Sequence, residues 1–155
     1  MNTMAPTRPT EMQCRRIPLA TGPAAAAEAR SQVLAAIRSW EVSVDSDVAV
    51  LLTSELVTNA IAHEVSDTVT LAITCSPARL RVDVHDTSRM FPVVVDAPGD
   101  AEAGRGLLLV TALSDEWGYY RTPAGKAVYF TLPLRPGPAP WPDGSGPRGV
   151  HTWGR

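Results

Sequence analysis

The run Leu51-Leu52-Thr53-Ser54-Glu55-Leu56-Val57-Thr58-Asn59-Ala60-Ile61-Ala62-His63 limits the fold of this chain more than any other stretch. Val48, Leu51, Leu52, Leu56 and Ala60 recur at the three-and-four spacing of a helix with a core-facing stripe. Glu55, Asn59 and His63 are four residues apart, so they leave the helix on nearly the same side, along the edge of that stripe. A carboxylate and a carboxamide at the border of a buried face cost free energy unless something there uses them. Asn59 also has poor helix propensity, which points to a functional cause. Solvated polar residues on a half-exposed helix would explain the run taken alone. The rest of the chain shifts that balance.

A helix of this kind needs a layer to pack on. Upstream, Gln13-Cys14-Arg15-Arg16-Ile17-Pro18-Leu19 reads as a short strand that Pro18 confines to a sheet edge. Thr21-Gly22-Pro23 opens a first helix, with Pro23 at the first helical position. Ala26, Ala29, Val33, Leu34 and Ile37 form its apolar face, and it runs to Trp40. Asp45 is placed to cap the helix that follows. Downstream, residues 68–75 and 79–86 alternate apolar and polar side chains across Ser76-Pro77-Ala78, the pattern of an antiparallel hairpin with Leu80, Val82 and Val84 inward. Residues 87–105 have no period and contain Pro92, Pro98, Gly99 and Gly104; so long a loop reads as a lid or binding loop. A short apolar helix over 106–113 and a hairpin of 116–121 and 126–132 complete the pattern.

This order predicts an α+β fold: a two-layer sandwich with one mixed or antiparallel sheet covered by helices on one face. The domain is expected to span residues 13–134. Residues 1–12 read as a disordered leader and 135–155 as a disordered Pro- and Gly-rich tail, in which Trp141 and Trp153 have no core to join.

Several function classes drop out. The net charge is −2 with no basic run, so nucleic-acid binding is not expected. No stretch is long and apolar enough to cross a bilayer, and the amino terminus lacks the apolar core of a signal peptide. Cys14 and Cys75 are isolated, which suits reduced thiols and a cytoplasmic location. His63 reads as a helix-end residue, His85 as an outward strand residue and His151 as part of the tail, so they make no metal centre. Trp117, Tyr119, Tyr120 and Tyr129 read as sheet-face packing, because no basic surface accompanies them. The spacing of a P-loop is missing.

Three features line up instead. Glu55 and Asn59 share one helical side, Asp86 ends an apolar strand pointing inward, and Gly104-Arg105-Gly106 opens an apolar helix after the long loop. Glycines there let backbone N–H groups approach an anion at the positive end of a helix. Together they describe a nucleotide pocket. Asp86 would hold the base and Gly104 to Gly106 the phosphates. Asn59 would hold Mg²⁺ through its side-chain oxygen, with Glu55 one turn away to accept a proton. Lys126 reads as a turn charge outside the site.

Glu55-Leu56-Val57-Thr58-Asn59-Ala60 resembles the N box of the gyrase and histidine-kinase-like (GHKL, Bergerat-fold) ATP-binding domains. Asp86 resembles the adenine-binding aspartate of their G1 box, and Gly104-Arg105-Gly106-Leu107 their G2 box. With Asp115-Glu116-Trp117-Gly118 and Gly125-Lys126-Ala127-Val128 following, the chain is similar to stand-alone bacterial anti-sigma-factor serine kinases from about Ile17 to Leu134. The resemblance implies ATP and Mg²⁺ as cofactors, and either phosphorylation of a serine on an anti-sigma antagonist (STAS) partner or sequestration of a sigma factor. It implies Glu55 as catalytic base, Asn59 as magnesium ligand, and Asp86, Gly104, Arg105, Gly106 and Leu107 as nucleotide-binding residues. A homodimer through the first strand and helix lies within the habits of such kinases.

The chain departs from that pattern in two places. Asp86 is followed by Thr87-Ser88-Arg89-Met90 where the G1 box continues with glycines, and Ala127 stands where many members carry a threonine near the adenine. These departures favour an alternative, a non-catalytic regulator that grips its protein partner; intact Glu55 and Asn59 favour the kinase.

Overall fold

The computed structural model describes residues 12–64, 66–89 and 102–135, the last segment by its backbone alone over 102–106. The alternation read in the sequence forms five strands: β1 (Gln13–Ala20), β2 (Thr68–Cys75), β3 (Arg79–Asp86), β4 (Glu116–Thr122) and β5 (Gly125–Pro133). They lie in the order β1-β2-β3-β5-β4, and each neighbouring pair is antiparallel. The expected choice between a mixed and an antiparallel sheet thus falls to the antiparallel one. β1 carries Pro18 at an edge, where its missing N–H breaks no central ladder.

Three helices accompany the sheet: α1 (Ala25–Ser39), α2 (Ser46–Ala62) and α3 (Glu102–Leu113). α1 packs on β1 and β2, α2 on β3 and β5, and α3 against α2 and β4. One face of the sheet, with Leu71, Ile73, Leu80, Val82, Val84 and Phe130, closes on Val33, Leu52, Leu56 and Val57 of the helices in a single cluster. Burying each of the larger side chains contributes roughly 1.5–3 kcal/mol. Asp45 caps α2 as expected: its Oδ1 accepts from the Val48 N–H at 3.2 Å.

Some core assignments change. Leu51 is 39% exposed, whereas Ala49, Thr53 and Val57 are buried. A helix advances about 100° per residue, so 49, 52, 53, 56, 57 and 60 hold one face and Leu51 falls outside it. Thr53 tolerates the core because its hydroxyl donates to the Ala49 carbonyl at 2.7 Å. In α1 the buried set is Ala25, Ala29, Val33, Ala36 and Ile37, with Leu34 only half-buried. Pro23 stands two residues before the first helical position, in the turn ahead of Ala24. α3 begins at Glu102, four residues before the expected start, so Gly104, Arg105 and Gly106 lie within its first turns.

On the opposite face, Arg81 donates through Nε and Nη2 to the two oxygens of Asp83 at 2.8 and 2.9 Å, and the Tyr120 hydroxyl donates to Asp83 at 2.8 Å. The Arg81 guanidinium lies 3.9 Å from the centre of the Tyr129 ring. Gly118 lets that ring lie close: a Cβ there would stand 2.9 Å from the Tyr129 hydroxyl. His85 is half-buried and edge-on to Tyr120, rather than simply solvated.

The lid assigned to the long loop lies mostly outside the described residues, since 90–101 are not among them; the same holds for nearly all of the leader and tail. Arg135 is described, and its backbone N–H donates to the Ser43 carbonyl at 2.7 Å.

Candidate functional site

Strand parity aims Asp86. It shares the phase of Leu80, Val82 and Val84, so its side chain turns toward the helix layer and is buried. The register sets Lys126, the second residue of β5, directly opposite. The Lys126 Nζ donates to Asp86 Oδ1 at 3.0 Å and Oδ2 at 2.9 Å. The Ser88 N–H adds a third hydrogen bond to Oδ1 at 2.9 Å. The Asp86 side chain has 0% exposure and that of Lys126 7%. Burial pushes the Asp86 carboxyl above its ordinary value, and the Lys126 ammonium and Ser88 N–H pull it back in part.

Lys126 is therefore no turn charge, and its reading as a bystander is corrected. The signal was present in the sequence: Lys126 is in phase with Val128, Phe130 and Leu132, which all face the core. The same register corrects the reading of Ala127. It lies opposite His85 and on the other face of the sheet, so the residue that meets Asp86 is Lys126.

Backbone packing holds the pair in place. A Cβ on Gly125 would lie 2.3 Å from the Asp86 carbonyl oxygen and 2.6 Å from the Thr87 Cα. Only glycine permits that approach without a shift of main chain. On the other side, Glu64 just beyond α2 accepts from the Thr87 N–H at 2.7 Å, and its carboxylate also takes the Thr87 hydroxyl. The Ser66 N–H donates to it at 2.9 Å. Burial alone would raise the Glu64 carboxyl, but the hydrogen bonds from Thr87 and Ser66 outweigh it and bring the group down to about 2. Glu64 thus ties the end of α2 to the end of β3. Beside the ion pair, a cavity of about 210 Å³ is lined by Arg89, Arg121, Lys126 and the turn between them.

α2 carries the other two polar candidates. Asn59 is half-buried, and its Nδ2 is shielded from solvent with no hydrogen-bond partner among the described residues. An unsatisfied buried amide costs about 1–3 kcal/mol, so a partner outside the described residues is expected there. The two ends of a carboxamide interchange by a flip, and its oxygen suits a hard cation. Asn59 therefore fits a magnesium ligand. Among the described residues no group of three acidic, histidine or cysteine side chains could hold a metal alone, so phosphate and water oxygens must supply the remaining positions. Glu55, one turn earlier, is half-buried, and its carboxylate has no partner among the described residues.

α3 packs against α2. The backbone N–H groups of its first four residues, including Gly104 and Arg105, lack intrahelical acceptors and offer an anion site. Leu107 is buried in the core and anchors that turn. α2 so lies against both the strand that ends in Asp86 and the helix that contains Gly104–Gly106. The Asp86 carboxylate differs from an open base contact, because both its oxygens accept from Lys126 and its side chain has no solvent exposure.

A crystal structure of the RsbU and RsbW domains of Rv1364c from Mycobacterium tuberculosis is similar, with a TM-score of 0.59 at 20% sequence identity. The likeness covers 80% of this chain and 33% of that one, so this chain spans about a third of that protein's length, and at such identity the likeness concerns the fold. No protein in the curated set matches the sequence. No helix among the described residues is long and apolar enough to cross a membrane. Residues 19–132 match the sequence profile of the histidine kinase-like ATPase domain. With nearly three quarters of its length inside that match, the chain belongs to the histidine kinase-like ATPase family, a membership that implies ATP binding.

Proposed function

We propose that this chain is a cytoplasmic, ATP- and Mg²⁺-dependent regulator of the anti-sigma type that phosphorylates a serine on an anti-sigma antagonist of the STAS class. The observation that carries this reading is the pair on α2: a half-buried Asn59 amide whose terminal atom has no partner among the described residues, one turn from a Glu55 carboxylate that none of the described residues engages. Magnesium, when bound, neutralises charge on the phosphates. Asn59 is the side chain that would hold it. The first turn of α3, with Gly104 and Arg105, receives phosphate oxygens at its backbone N–H groups, while Gly106 and Leu107 continue the helix and Leu107 fixes it to the core. The partner's serine oxygen attacks the terminal phosphorus, its proton passes to the Glu55 carboxylate, and ADP leaves with the bridging oxygen.

The fold likeness to a protein whose described domains include RsbW supports the anti-sigma assignment. A second reading is favoured by the Asp86–Lys126 pair, which closes the expected base contact. In it the chain is a non-catalytic regulator that sequesters a sigma factor or its antagonist. Calorimetry with Mg²⁺-ATP and phosphate transfer to a STAS protein recovered by pull-down separate the two. The kinase reading expects wild type to bind and transfer, and Glu55→Ala to bind without transferring. Transfer unchanged in Glu55→Ala removes Glu55 from its role. Absence of both binding and transfer in the wild type leaves the sequestering regulator.

A further inference from the structure

A base-contacting carboxylate works by offering a free oxygen to a ring amino group. In this chain that offer is already accepted. Asp86 Oδ1 takes hydrogen bonds from the Lys126 ammonium and the Ser88 N–H, Oδ2 takes a second one from Lys126, and the carboxylate has no solvent exposure. The ammonium is a better donor to this carboxylate than a neutral ring amine, because it brings a full opposite charge as well as the hydrogen bond. It is also tethered, so it needs no binding from solution. The 6-amino group of adenine would have to displace a buried, covalently held competitor of higher donor strength.

From this we infer that Lys126 is a specificity-determining residue that occupies the base-recognition position, so that the wild-type site binds purine nucleotides through their phosphates without reading the 6-amino group. The inference rests on the reading of Asp86 as the residue facing the base. The fold supports it in two further ways. The register of β3 and β5 fixes Lys126 across from Asp86, and the close approach of Gly125 to the Asp86 carbonyl keeps the strands in that register. Arg89 and Arg121 line the cavity next to the pair together with Lys126, and as pure donors their side chains offer a ring amine no acceptor in place of Asp86.

The test compares ATP with the purine riboside triphosphate that lacks the 6-amino group, both with Mg²⁺, by calorimetry. The full chain and Lys126→Ser are used, and Lys126→Gln, which keeps most of the side-chain volume, replaces the serine variant if circular dichroism finds it unfolded. Wild type is expected to bind the two nucleotides within about threefold of each other. The variant is expected to gain ATP affinity and to prefer ATP by about tenfold or more, the worth of one hydrogen bond to a charged acceptor. A loosened site would change both nucleotides alike, so the ratio distinguishes specificity from a merely structural effect. A wild-type preference for ATP of tenfold or more overturns the inference while leaving ATP binding intact. Equal binding of both nucleotides by wild type and variant does the same. If neither protein binds either nucleotide, Asp86 is not a base contact, and both the inference and the nucleotide reading fall.

Discussion

The Lys126 ammonium lies 3.0 and 2.9 Å from the two oxygens of Asp86, with both side chains shielded from solvent. A buried pair of this kind adds little net stability, since desolvation offsets the attraction, but it is costly to break from one side. It fixes the meeting point of β3 and β5 where the chain's expected ligand contact was to be.

A double-mutant cycle on the pair follows. Lys126→Met alone leaves an uncompensated carboxylate and is expected to cost about 3–5 kcal/mol in urea unfolding. Adding Asp86→Leu should recover most of that loss. Strictly additive effects would mean that the two groups do not interact.

Gly125→Ala puts a methyl group against the Asp86 carbonyl and the Thr87 Cα, both main-chain neighbours. The expected cost is about 1–3 kcal/mol of unfolding free energy, because the strand must shift and no flexible side chain can give way. A melting temperature equal to wild type would show that the strand end is loose.

Glu64 makes the stability depend on acid. Its carboxyl has an ordinary value of 4.5 and sits at about 2 in the folded chain, so on acidification the unfolded chain takes up the proton first. The contribution is whole above about 4.5, shrinks as pH falls, and is gone below about 2. Urea midpoints measured between pH 6 and pH 2 should therefore fall more steeply for wild type than for Glu64→Gln. Parallel curves would remove the clasp between Glu64 and Thr87.

Asn59→Ala should separate folding from function. It deletes a buried amide with an unmet donor and improves helix propensity, so the free protein is expected to gain about 1 kcal/mol of stability. The thermal shift that Mg²⁺-ATP gives the wild type should vanish in the same variant. A variant less stable than wild type would mean that the amide has a partner after all.

Much of the architecture was legible because it rests on periodicity. β2 and β3 were read with their observed bounds, and Asp45 was recognised as a cap, since an aspartate ahead of an apolar run satisfies the first N–H groups from its own side chain. The helix faces were less legible. Leu51 reads as core because it is apolar and three residues from Val48, yet the face that α2 turns to the sheet leaves it outward and buries Thr53. A threonine can enter the core by bonding its own helix, which no spacing argument reveals.

The sequence alone determined the α+β pattern, the placement of Glu55 and Asn59 on one side of a helix, and the inward phase of Asp86, because each depends on local period. Which groups stand across from one another was decided by the tertiary structure. Asp86 and Lys126 are separated by 40 positions, and only the pairing of β3 with β5 brings an ammonium against that carboxylate. A buried charge finds its partner through strand register, and register is fixed by how the whole sheet packs.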